Sequence, residues 1–197
     1  MSPSRTSLRQ RLGRLRDGAV HRFATACGGM AAVEFALIAP VMVTLYFGVT
    51  ELSNAYDANT KATTVASTAA DLIAQEKSVC DPEMADSFTA LNAIMYPFPP
   101  NAMKVRISSL IDNGNGTVKV AWSDTNDPTN YPARTVNTAV TIPAGLVPTG
   151  GSVIMSEVIY TYNSPAPHFF PAAVPMSDTY YLHPRKTSQI ARTVACT

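Results

Sequence analysis

The chain has 197 residues, with 15 Lys+Arg against 14 Asp+Glu and a formal net charge of +1. That length leaves room for one modest globular domain plus an anchor. The near-neutral total conceals an asymmetry: six arginines (Arg5, Arg9, Arg11, Arg14, Arg16, Arg22) and a single acid, Asp17, precede Met30, whereas the remainder is net acidic. A basic flank before an apolar span is retained on the cytoplasmic side, which puts the bulk of the chain outside. A nucleic-acid tail is the alternative for such arginines, but basic tails are not usually joined directly to a membrane segment.

Residues 30–49 carry one charge, Glu34. Twenty helical residues span about 30 Å, enough to cross the hydrocarbon core of a bilayer. A cleaved signal peptide and an uncleaved signal anchor are the competing readings. The apolar run exceeds the usual h-region of about 7–15 residues, and the acid lies inside it instead of at its edge. Helical periodicity continues past the span: Leu52, Ala55, Asn59, Ala62, Ala66, Ala69 and Ile73 recur at alternating spacings of three and four. The helix is therefore expected from about residue 31 to 75 or 76, roughly 65 Å. Pro40 removes one backbone donor inside it, which predicts a kink or a locally melted turn. Asp57 and Lys61, four apart, are placed for an ion pair on a solvated face.

Asp81-Pro82-Glu83 signals a second helix, with Asp81 as N-cap, Pro82 at the first helical position and Glu83 at the positive end of the dipole. Met84, Phe88, Leu91 and Met95 form its apolar face, and Pro97, Pro99 and Pro100 end it. The pattern then turns to strands. Met103, Val105 and Ile107 alternate with polar residues, Asn113-Gly114-Asn115-Gly116 is a turn cluster, and Val118, Val120 and Trp122 alternate again: a hairpin. Residues 152–162, rich in Val, Ile and Tyr, predict a third and central strand. Residues 136–142 are the candidate fourth. The prolines from 165 to 175 predict an irregular loop, with residues 180–197 closing the domain. The fold class is α+β: a long N-terminal transmembrane α-helix, then a small antiparallel β-sheet domain with one additional helix.

Catalytic chemistry finds no support. His21, His168 and His183 form no metal spacing with one another or with the cysteines, and no nucleophile elbow, phosphate loop or dinucleotide fingerprint occurs. The acids around residues 112–116 do not follow the EF-hand alternation, so that segment is a turn. Asp124-Thr125-Asn126-Asp127 is most simply a solvated loop, a weak calcium site being its alternative. The expectation is no enzyme, no cofactor, no metal and no nucleic-acid partner.

One feature remains, and it is the most specific. Gly28-Gly29-Met30-Ala31-Ala32-Val33-Glu34-Phe35 behind an arginine-rich leader resembles a prepilin processing site. Ala31-Ala32-Val33-Glu34-Phe35-Ala36-Leu37-Ile38-Ala39-Pro40, with Gly48 and Glu51-Leu52 at its end, resembles the opening segment of TadE/TadG-like proteins of the tight-adherence (Tad, or Flp) pilus system. The likeness is strong over about the first quarter and diffuse after it, in Ala70-Asp71-Leu72, Trp122-Ser123, residues 157–162 and Pro184-Arg185. Met after the proposed cut, in place of Ala or Ser, departs from the family pattern, and the length does not accommodate the large extra domain of full TadG proteins.

The resemblance implies a structural minor pilin or pseudopilin, used in adhesion or surface contact. A prepilin peptidase would cut between Gly29 and Met30, and Glu34, followed by Phe35, would pair with the new α-amine, on a neighbouring subunit, offsetting the desolvation of both charges. It further implies a leader (residues 1–29), a transmembrane and assembly helix (30–52) and a periplasmic domain (53–197) anchored in the inner membrane. The expected partners are other pilin subunits, the pilus assembly machinery and membrane lipid. A tethered periplasmic binding or envelope protein that never enters a filament is the alternative. With Cys27 in the leader, Cys80 and Cys196 are left as an even pair in an oxidising compartment, which favours a disulfide over two free thiols.

Overall fold

A computed structural model describes residues 28–112, 114, 116–165 and 173–196. The arginine-rich leader with His21 and Cys27, the turn residues Asn113 and Asn115, and His168 lie outside the described residues.

Helix α1 runs Gly28–Ala74. Contacts divide the chain into one unit ending at Val49 and a second covering residues 50–197. In the first unit, α1 is long and apolar enough to cross a membrane, and its large side chains, from Met30 to Val49, are exposed. The α-helix is continuous through Pro40, so the melted turn is absent; the Thr44 hydroxyl donates to the Pro40 carbonyl at 2.8 Å.

In the second unit, one face of α1 is built almost entirely from small side chains: Ala58, Ala62, Val65, Ala66, Ala69, Ala70, Ile73 and Ala74 are all buried. Alanine lets helix and sheet backbones approach closely while retaining high helix propensity. The buried stripe is turned slightly from the expected one. Glu51 and Ala58 face inward, whereas Leu52 and Asn59 are exposed, because a carboxylate at position 51 finds a hydroxyl partner inside. The opposite face is rich in Thr and Ser, whose hydroxyls fold back on the helix: Thr60 onto Tyr56 O, Thr63 onto Asn59 O and Thr64 onto Thr60 O. Lys61 forms no pair with Asp57; its ammonium donates to Ile94 O at 3.3 Å.

Strand β1 (Ser78–Val79) leads into α2 (Asp81–Ile94). The N-cap is Cys80, one residue earlier than Asp81. Cys80 is extended (φ −95°, ψ 171°), and its N–H donates to the Glu83 carboxylate at 3.0 Å, so Glu83 closes the first turn from the N3 position. Met84, Leu91 and Met95 are buried and Phe88 packs beside them.

Four strands follow: β2 (Met103–Asp112), β3 (Val118–Thr125), β4 (Ser152–Tyr162) and β5 (Val174–Leu182). They form an antiparallel sheet in the order β3-β2-β4-β5, with β4 central. The fourth strand is β5, not residues 136–142. That stretch makes one bridge, Lys119 to Ala139, and lays Val140 and Ile142 over the sheet's outer face, where Leu110, Val120, Val153 and Met155 need cover. Pro175 is tolerated in β5 because edge strands do not need every donor.

The sheet's other face meets α1 and α2 through Val105, Ile107, Ile154, Val158, Tyr160 and Tyr162. Full burial of one such aliphatic side chain contributes about 1.5–3 kcal/mol. Simple alternation puts Val120 and Trp122 on one face, but the structure separates them. The register slips between Ser109 and Leu110, which pair with Trp122 and Val120, leaving Ala121 as an extra residue. This bulge turns Trp122 to the helix side and Val120 to the other. In the β2–β3 turn the Asp112 carboxylate accepts from the N–H groups of Gly114 (2.9 Å) and Gly116 (3.2 Å). Both glycines have positive φ, 89° and 73°, which an L side chain would strain. Finally β6 (Ala191–Arg192) pairs in parallel with β1.

Candidate functional site

The proposed processing and assembly residues lie on α1. A Cβ placed on Gly29 would meet nothing within 4 Å. Met30, Glu34, Phe35 and Pro40 are exposed, and among the described residues nothing pairs with the Glu34 carboxylate. One helix therefore carries Gly29, Met30, Glu34 and Phe35 in open positions, with no second group among the described residues brought against them. The arrangement suits recognition by another molecule and contains no catalytic pair.

Where α1 enters the second unit, sequence reasoning missed the decisive residue. Glu51 is 3% exposed and accepts a 2.7 Å hydrogen bond from the Tyr162 hydroxyl at the end of β4. A buried carboxylate without a donor would be costly, and the phenol supplies one. Burial, together with the hydrogen bond to Glu51, pushes the Tyr162 hydroxyl well above the ordinary tyrosine range. Phe98 packs edge-on to both Tyr162 and Tyr160, with centroids 6.2 and 6.4 Å away. The sequence signals were Glu51-Leu52 at the end of the TadE-like opening segment and an acid in phase with the alanines 55, 58 and 62.

At the other end of this part of α1, the C-terminal segment is tied back. Cys80 and Cys196 are joined in a disulfide, with Cα atoms 5.2 Å apart. Arg192 reaches Asp81 (2.6 Å), Asp124 (2.7 Å) and the Val79 carbonyl (3.3 Å). The Asp124 hydrogen bond raises the guanidinium pKa against the effect of burial. Arg185 pairs with Asp71 and its N–H donates to Ala74 O. The Trp122 indole donates to Ile190 O at 2.8 Å. Residues 124–127, expected as a solvated loop, are consequently structural: Asp124 holds Arg192, Asn126 bonds Val105 N and Met103 O, and Asp127 holds Asn130. Cys80, Cys196 and Glu83 also lie within reach of one another, but the disulfide and the helix cap account for all three.

On the outer face, Glu157 bridges Arg106 (2.9 Å) and Arg134 (2.7 Å), and Arg106 stacks 4.2 Å from the Tyr131 ring centroid. Burial pushes the Glu157 carboxyl up, but the two guanidinium donors outweigh it and hold it below the ordinary range. This cluster pins the segment between β3 and β4 to the sheet.

Residues 29–71 match the family model for TadE-like protein. The likeness to TadE-like protein thus lies in this segment of α1. The match begins at Gly29, beside the exposed methionine and acid, and ends at Asp71, the partner of Arg185. The TadE-like segment thus covers the apolar part of α1 and nearly all of the alanine face that packs on the sheet. It supports a pilin-like, pilus-associated reading and a single-pass anchor. No curated protein and no solved structure matches the chain.

Proposed function

We propose that this protein is a minor pilin or pseudopilin that supports assembly of a Tad/Flp-type pilus, in adhesion or surface contact. The observation that carries the proposal is the coincidence of a TadE-like segment with a membrane-length helix bearing one exposed acid, Glu34. Residues 1–29 act as a cytoplasmic leader, residues 30–52 as the anchor and assembly helix, and residues 53–197 as a periplasmic domain. A prepilin peptidase cleaves after Gly29, where the open surroundings of Gly29 and Met30 give it access. Glu34 then meets the α-amine of a neighbouring subunit, an ion pair that sets axial register. The role is structural, not enzymatic.

N-terminal sequencing of the membrane-extracted protein tests this directly. The expected mature N-terminus is Met30, and Gly29→Lys, which puts a bulky charge at the peptidase cleft, is expected to leave the full precursor in the inner membrane. Finding residues 1–29 on protein in sheared pili would refute processing. A processed chain that never appears in sheared pili would favour a membrane-tethered envelope protein.

A further inference from the structure

Charge is distributed unequally between the two ends of the second unit. Residues 35–50, 87–103 and 158–177 contain no Asp, Glu, Lys or Arg. Within the second unit, the fold brings the described ends of the last two stretches together beside Glu51, which follows the first in sequence. The first runs along α1 into Glu51, Glu51 bonds Tyr162 from the third, and Tyr162 packs on Phe98 from the second. Tyr162 is also paired with Val174 across the β4–β5 ladder, so both strand ends lie here. Glu51 would break the neutrality, but its carboxylate is turned inward. Lys61, one of the nearest cations, is engaged by Ile94 O, and Lys104 lies 4.0 Å from Asp127; past the apolar span, Asp57 is the first exposed charge along α1.

Three large side chains stand out from this neutral end: Leu52 (63% exposed), Tyr56 (74%) and Tyr96 (80%). Leu52 and Tyr56 continue the helix directly from the exposed Val49, at spacings of three and four, on one stripe. Tyr96 lies in the turn between Ile94 and Phe98, whose contacts fix it beside the same part of α1. The opposite end carries Asp71, Asp81, Arg185 and Arg192, with Asp71 about 30 Å beyond Glu51 along α1.

We infer that the neutral end, presented by Leu52, Tyr56 and Tyr96, rests in the headgroup layer of the bilayer. Tyrosines favour that layer because the ring lies among acyl chains and glycerol while the hydroxyl stays hydrated. Glu51, sequestered by Tyr162, lets the apolar surface of α1 run one to two turns past the span without presenting an acid to lipid. The inference rests on the proposed anchor, with residues 30–49 of its helix as the membrane span. It adds that the domain lies against the membrane and is not held away from it.

The test uses the full chain reconstituted in phosphatidylethanolamine/phosphatidylglycerol vesicles containing radiolabelled lipid. Tyr56, Tyr96, Val43 and Val194 are each replaced in turn by photoreactive benzoylphenylalanine, all at exposed positions. Val43 reports the anchor, and Val194, whose carbonyl accepts from Asp81 N–H at the far end, reports the distal surface. After irradiation, lipid adducts at positions 56 and 96 are expected to approach those at 43 and to exceed those at 194 by about tenfold. Adducts at 43 without adducts at 56 and 96 would overturn the inference and leave the anchor standing. Adducts at 56 and 96 to a second copy of the chain would overturn it in favour of a subunit contact. No adduct at 43 would overturn the anchor itself, and the inference with it.

Discussion

Tyr162 and Glu51 illustrate how a single pair can set the phase of a helix. Replacing Leu52 by Glu51 on the buried face costs an apolar contact, which the phenol–carboxylate bond offsets only while the phenol stays protonated. Tyr162 ionises at higher pH when folded than when unfolded. Its contribution is therefore complete below the unfolded value near pH 10 and declines as pH rises towards the folded one. Tyr162→Phe leaves a buried carboxylate without its donor and should cost about 1–3 kcal/mol at neutral pH. The variant should also lose stability less steeply above about pH 10 in denaturant titrations. An unchanged alkaline profile would remove Tyr162 as its source. Glu157 has the opposite sign. Its folded pKa is depressed, so its contribution is present at neutral pH and is lost as pH falls below the ordinary carboxylate range. Glu157→Gln should cost about 2 kcal/mol near neutrality and flatten the acid limb of the stability curve.

Among the elements, β6 is the one least able to persist alone: two residues pairing with two. The disulfide and Arg192 hold it from both sides of α2's first turn. Closing a loop of this length, with a sequence separation of 116, could contribute up to roughly 4–5 kcal/mol by the chain-entropy model, and less where the native geometry is strained. Cys80→Ala with Cys196→Ala should lower the urea midpoint substantially while leaving the four-stranded sheet intact. Non-reduced peptide mapping of the parent should show the two cysteines linked. Element types were largely readable from periodicity: α1, α2, the β2–β3 hairpin and the central β4 follow from spacing and turn residues. Element phase was not. The bulge at Ala121 and the inward turn of Glu51 both depend on partners distant in sequence, Ser109 and Tyr162, which no local pattern contains. The same reason explains β5. Its Pro175 and polar alternation read as loop, and only pairing with β4 makes it a strand.

At the scale of the molecule, Glu34 is the residue whose meaning lies outside the chain. Among the described residues its carboxylate has no partner to stabilise. Glu34→Ala should therefore leave folding unchanged, and removing a charge costing roughly 2.5–3.5 kcal/mol at membrane depth should ease membrane insertion. Pilus yield by shearing should fall if Glu34 forms the proposed register-setting pair; normal yield would reduce Glu34 to a tolerated acid near the interface. This residue was legible in the sequence because an acid in an apolar run is anomalous there. The arginine clusters around Glu157 and Asp124 were not legible, since isolated charges in a polar stretch carry no signal until the fold brings them together.

Trp122 is the chain's one tryptophan, and its indole N–H is bound to the Ile190 carbonyl in the segment leading to β6. The protein therefore carries a built-in optical probe at the seam between its core and its C-terminal strap. Excitation beyond the absorption of tyrosine selects this ring alone. Release of the strap would hydrate the indole and move its emission to the red while the backbone circular dichroism of the sheet stayed constant. Loosening of the strap can thus be followed separately from unfolding, without a label.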